Sequence, residues 1–101
     1  MDLNDKYKEY FKQRKYLISV EPMDGYNLKL GFADKKNGKI TELKMFNCTS
    51  LFTDGSVFEF IKNPDEFNEV KIIDGAIAWK RNGQVYDLCP DTCYVESTII
   101  Q

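Results

Sequence analysis

The spacing of apolar residues changes period as the chain is read. Over residues 2–16, Leu3, Tyr7, Tyr10 and Phe11 recur at i, i+4, i+7 and i+8, while Lys6, Glu9, Lys12 and Gln13 take the other side. That is the spacing of an amphipathic helix, which Asp2 or Asn4 could cap. Such a helix packs its aromatic stripe on its own domain or docks it into a partner groove. From Leu17 onward the period falls to two. Tyr16 to Glu21 is rich in β-formers and ends at Pro22, and Met23-Asp24-Gly25 is a turn signal. Tyr26, Leu28, Leu30 and Phe32 then alternate with Asn27, Lys29, Gly31 and Ala33, which predicts a half-buried strand. Asp34 to Gly38 reads as a loop, and Lys39 to Met45 as a third strand completing an antiparallel meander.

Between Phe46 and Phe67 the alternation is lost. Val57, Phe58 and Ile61 suit a short helix ended by Asn63-Pro64, with Pro64 able to open one further turn. Val70 to Ile73, Ala76 to Lys80 and Gln84 to Leu88 read as three more strands, joined by Asp74-Gly75 and Asn82-Gly83 turns, and Pro90 to Tyr94 as a turn of helix. The predicted fold class is therefore α+β: a small, mostly antiparallel sheet of about six short strands, with an N-terminal helix, a short middle helix and a C-terminal helical turn. Residues 1–16 form an appended amphipathic helix and residues 17–101 a single α+β domain in this reading. Unpaired strand edges in so small a sheet leave room for a homodimer.

Composition narrows the function more than the pattern does. With 101 residues, 43% of them hydrophobic and 30% charged, the chain suits one globular domain rather than disorder. A net charge of −2 gives no general pull toward phosphate backbones, which disfavours nucleic acid as a partner. No apolar run approaches the roughly 20 residues of a bilayer span, and residues 1–15 have no apolar core of a signal peptide, so a cytoplasmic location with no membrane partner is expected. Histidine is absent, which removes Ser-His-Asp and Cys-His nucleophiles, His-ligated zinc and imidazole acid–base chemistry. The three cysteines, odd in number, read as reduced thiols.

Four residues in the segment Asp74 to Tyr94 could carry chemistry: Asp74, Asp87, Asp91 and Cys89. The carboxylates suit acid–base or Mg²⁺ work, but Asp74 also opens a turn, Asp87 leads into Pro90, and Asp91 sits in a helical first turn where an anion is favoured. Cys89 and Cys93, four apart on one helix face, are spaced at about 5 to 6 Å rather than the roughly 3.8 Å that a disulfide wants. Two small core residues are the simpler account of them. No glycine spacing cradles a phosphate, and no cofactor or metal is expected. Lys12, Arg14, Lys15, Lys35 and Lys36 could meet nucleic acid if the fold gathered them. Trp79 shares a strand face with Ile77 and is either a core residue or a partner contact.

The pattern Tyr26-x-Leu28-x-Leu30-x-Phe32, Phe58-x-x-Ile61-x-Asn63-Pro64-x-x-Phe67-x-x-Val70, Ile77-x-Trp79 and Asp87-Leu88-x-Pro90-Asp91-Thr92-x-Tyr94 resembles the small bacterial domain-of-unknown-function family 2442, over about residues 17 to 96. The resemblance implies a compact α+β domain without established catalytic residues. It also implies a place beside a second small protein, in a pair like a toxin and its antidote. Some members carry a C-terminal helix-turn-helix, which is not expected here because the sequence stops at Gln101. Cys93 stands where such proteins have Leu, in keeping with a core thiol. The expected function is a non-enzymatic protein-interaction module, antitoxin-like or accessory, with Tyr7, Tyr10, Phe11 and Trp79 as partner-binding residues and a protein partner of unidentified kind. The alternatives are a small hydrolase or thiol-dependent enzyme, and a nucleic-acid-associated regulator.

Overall fold

Backbone in the left-handed region at Asp74 (φ 51°) and Gly75 (79°), and again at Asn82 (53°) and Gly83 (79°), turns the chain back on itself twice in quick succession. Paired positive φ values define the two-residue hairpin loops whose twist matches that of the flanking strands. In a computed structural model that describes Asp5, Lys8, residues 14–53 and residues 55–100, these loops make a three-stranded antiparallel sheet of β4 (Lys71–Ile73), β5 (Ala76–Arg81) and β6 (Gln84–Leu88), with β5 central. A second sheet, in the order β1-β2-β3-β7, holds β1 (Tyr16–Met23), β2 (Asn27–Ala33), β3 (Glu42–Asn47) and β7 (Thr98–Ile99), every pairing antiparallel. Two 3₁₀ turns (Thr49–Leu51 and Glu59–Lys62) and a single-turn helix α1 (Pro64–Phe67) connect the sheets. The two-turn helix α2 (Pro90–Glu96) leads from β6 to β7.

This corrects the fold class read from the sequence. The described residues form two sheets and seven strands with very little helix, not one six-stranded sheet flanked by helices. The middle helix is a 3₁₀ turn followed by α1, broken where Asn63 must be extended before Pro64 (φ −72°, ψ 118°) and uses its side-chain oxygen to cap Asp65 N–H at 3.0 Å. The N-terminal helix lies outside the described residues apart from Asp5 and Lys8, and at its expected end Arg14 and Lys15 are not helical while Tyr16 already begins β1. Tyr26, expected as the first strand residue, has φ 62° and belongs to the turn. Pro22 does not end β1, because β1 is an edge strand and loses no ladder bond to it.

The sheets face each other across one core. β2 turns Leu28, Leu30 and Phe32 inward and β5 turns Ile77 and Trp79 toward them, all without accessible surface. Ile61, Phe67 and Cys93 close the remaining sides. Trp79, 0% exposed, is the largest of these side chains. Its Nε1–H donates to the Phe67 carbonyl at 3.0 Å, and its ring meets Phe58 edge-on at 6.0 Å and Phe67 at 6.2 Å. Burying an indole removes on the order of 200 Å² from water, worth about 5 kcal/mol as an upper figure. The hydrogen bond adds specificity: the connecting segment is fixed to the centre of the smaller sheet. Trp79→Phe should therefore lower unfolding free energy in urea by about 2 to 4 kcal/mol without changing the fold. Val57→Ala, at an exposed position, should leave it within about 0.5 kcal/mol.

Candidate interaction surface

The residues that invited chemistry are occupied with structure. Asp74 forms the left-handed corner of the β4–β5 loop. Asp87 is exposed on β6, opposite Ala78. Asp91, in the first turn of α2, pairs with Arg14 at 3.3 Å. Cys89 is exposed and occupies the cap position before Pro90. Among the described residues no group of three or more His, Cys, Asp or Glu side chains is arranged to hold a metal. Of the basic residues, Arg14 is drawn to Asp91 and Lys15 to Asp34, whose carboxyl is held below its usual value by the Lys15 ammonium. Lys35 and Lys36 remain exposed in the β2–β3 loop, and Lys12 lies outside the described residues.

Of the expected partner-binding residues, Tyr7, Tyr10 and Phe11 lie outside the described residues. Trp79 is buried in the core and presents no indole surface to a partner. Its contribution to any interface is to hold β5 in place.

Cys48 and Cys93 are buried and free, and burial pushes both thiols up to about 12. For Cys93, the nearby Cys48, Cys89 and Glu96 add to the effect. A thiol held protonated is a poor nucleophile, so these two serve as small apolar side chains.

One polar cluster went unseen in the sequence. Lys44, 5% exposed, points into the protein from β3. Its Nζ donates to the Tyr94 carbonyl and sits 3.9 Å from the centre of the Tyr94 ring. Tyr94 O–H donates to Glu42 Oε2 at 2.6 Å, and the ring packs edge-on against Phe32 at 4.9 Å. Charge-assisted hydrogen bonding and a cation over an aromatic face together offset the cost of burying an ammonium. The arrangement clamps α2 onto β3. Alternation counted back from buried Phe46 places Lys44 and Glu42 on the inner face, and that was the available signal.

The outer face of the larger sheet has the opposite character. Register sets Ser19, Gly31 and Leu43 in one row across β1, β2 and β3, and Ile100 N–H donates to the Leu43 carbonyl at 2.9 Å to extend it. Ile40 lies directly over Gly31: a Cβ there would come within 2.7 Å of Ile40 Cδ1. Only glycine lets the loop side chain settle on the sheet. Ile40 is nonetheless 44% exposed and Ile100 46%, with half-buried Leu43 between them and half-buried Met45 in the next row, between Lys29 and Thr98. Ile99, at the sheet edge, is 62% exposed. An open depression of about 730 Å³ adjoins the strip, lined by Met45, Phe46, Ile100, Asn47, Ser50 and Glu96 among others. Lys39 precedes Ile40 in the chain, and Lys35 and Lys36 lie in the same β2–β3 loop, all three exposed.

No helix among the described residues is long and apolar enough to cross a membrane. No family model, curated protein or solved structure matches this chain.

Burial makes two predictions. An aromatic disulfide reagent at neutral pH should titrate one thiol of the native protein quickly, Cys89, and all three only after denaturation. Because Cys48 and Cys93 have raised values when folded, their effect on stability is nil below the ordinary value of 9.0. It becomes a loss between about pH 9 and about 12, where the unfolded chain ionises and the folded one does not. Thermal melts at about pH 8 and about pH 10.5 should thus differ more for the wild type than for a Cys48→Ala, Cys93→Ala double variant.

Proposed function

We propose that this chain is a non-enzymatic protein-binding module, antitoxin-like or accessory in role, whose partner covers the outer face of the larger sheet. The observation that carries the proposal is the strip on the outer face of the larger sheet, where exposed Ile40 and Ile100 flank half-buried Leu43, with half-buried Met45 beside it. Contiguous exposed apolar surface of this kind marks an interaction site. The exposed lysines of the loop that carries Ile40, Lys35, Lys36 and Lys39, favour a partner with an apolar centre and an acidic border, since complementary charge steers encounter and sets orientation. The paired-protein role rests on the resemblance carried by the Asp87 to Tyr94 run and its companions upstream.

The thiol enzyme is the second reading, and Cys89 is the residue that favours it, being an exposed thiol just ahead of a helix. It has no base within its described surroundings that the geometry singles out, whereas the apolar strip is a positive feature.

Affinity capture from the native host should recover a stoichiometric protein partner with the wild-type chain. Ile40→Lys combined with Ile100→Lys should abolish recovery while leaving the melting temperature within about 2 °C, as expected for exposed positions. Equal recovery with the double variant, or recovery lost only on Cys89→Ser, would overturn the assignment.

A further inference from the structure

Among the described residues, β6 has a neighbour on one side only. It pairs with β5 from Arg81↔Gln84 to Ile77↔Leu88, and among the described residues no strand lies along its other edge. The Asn82-Gly83 loop, with positive φ at both residues, makes the flanking Arg81 and Gln84 a hydrogen-bonded pair. Counting along an antiparallel ladder from there, Tyr86 and Leu88 also turn their N–H and C=O toward β5. Val85 and Asp87 turn theirs outward. The open edge therefore presents two amides and two carbonyls, set one residue to either side of Tyr86.

That spacing suits a second copy of the same strand. Run antiparallel with Tyr86 opposite Tyr86, two β6 strands set Val85 of each against Asp87 of the other. Both become hydrogen-bonded pairs, so all four outward groups on each chain are matched. Tyr86 opposite Tyr86 is then the non-hydrogen-bonded pair, where cross-strand side chains come closest.

The two faces agree with this register. On the inner side Tyr86 already packs against Phe60 at 5.2 Å, and the Arg81 guanidinium lies 5.2 Å from the Phe60 ring centre. Pairing would join two such clusters into a continuous aromatic row with Arg at its ends, a composition typical of interface centres. On the outer side Lys80 pairs with Val85 and Ala78 with Asp87. Lys80 of one copy thus shares a row with Asp87 of the other, two strands and about 10 Å away at Cα, within reach of a lysine. Moving the axis to Asp87 would instead oppose Asp87 to Asp87, which is destabilising. Val85, 41% exposed, would be covered.

We propose that β6 is a self-pairing edge, joining two copies about a two-fold axis at Tyr86 into one six-stranded sheet. The surface lies in the smaller sheet, apart from the apolar strip, and the inference does not rest on the proposed function. Closed two-fold pairing also protects an edge that would otherwise recruit other strands.

Sedimentation equilibrium over about three decades of concentration tests it. The wild type should rise from monomer to twice the monomer mass. Asp87→Lys, which sets lysine in a row with the other copy's Lys80, should weaken association about tenfold or more. Adding Lys80→Glu to it should restore association. Tyr86→Cys in a Cys89→Ser background should form an intermolecular disulfide on mild oxidation, and Gln84→Cys in the same background should not. A wild type that stays monomeric throughout overturns the proposal. So does a dimer indifferent to Asp87→Lys, or one that crosslinks at Gln84→Cys instead.

Discussion

The hydrogen bond from Trp79 Nε1–H to the Phe67 carbonyl, and the packing of the indole around it, hold the two halves of this protein in one arrangement. The smaller sheet contributes β5 through Ile77 and Trp79; the larger contributes β2 through Leu28, Leu30 and Phe32. Packed together, the two faces remove from water apolar surface that either sheet alone would leave exposed. The link between them runs through 3₁₀ turns and α1, whose backbone hydrogen bonds are short-range turns that tie it to neither sheet. Phe58, just before the second 3₁₀ turn, and Phe67, at the end of α1, touch the indole directly. Tyr26 adds edge contacts to Phe52 at 4.9 Å and Phe67 at 5.4 Å, and its hydroxyl donates to the Lys62 carbonyl. The aromatic residues thus make a continuous bridge from the β1–β2 turn to β5.

A core closed this way sends the remaining apolar and unpaired groups outward in particular places. The inner face of β3 cannot be wholly apolar once α2 crosses it, and Lys44, Tyr94 and Glu42 answer that with a hydrogen-bonded cluster. The outer face of the same strand carries Leu43 and Met45, where Gly31 makes room for Ile40 and the residues after α2 add Ile100. The smaller sheet, with a tight loop at each end of β5, leaves the β6 edge open among the described residues. Two surfaces of different physical kind result, one offering apolar side chains and the other backbone groups.

Local chemistry was readable in the sequence wherever the chain itself sets conformation. The Asp74-Gly75 and Asn82-Gly83 turns, the Asn63-Pro64 break, the alternating Leu28, Leu30, Phe32 run and the Pro90 helix start all stand near where periodicity and turn residues place them. What periodicity does not contain is which strands hydrogen-bond and which merely face each other. Ile77 and Trp79 have the same pattern whether β5 extends the first sheet or lies across from it, and so the division into two sheets was missed. β7 was missed because two residues after a helix carry no alternation. β3 begins three residues later than expected, at Glu42, since Ile40 is used to cover Gly31 rather than to pair. The same ambiguity hid the interaction surfaces: Trp79 reads as a hot spot or a core residue until burial decides, and Ile40, Leu43, Met45 and Ile100 come from three separate stretches that only the register unites.

The proposed function lies on the outer face of the larger sheet, with the Asp and Cys residues of the Asp74 to Tyr94 segment serving as parts of the fold. A substitution scan across the described residues, scored in parallel for protein abundance and for the cellular phenotype of deleting the gene, tests that division most directly. The predicted result is loss of function at normal abundance for polar substitutions at Ile40, Leu43, Met45 and Ile100, with Trp79, Phe67 and Cys93 failing only through lost abundance. Loss of function at normal abundance centred on Asp74, Asp87, Cys89 and Asp91, with the isoleucine positions tolerant, would contradict it.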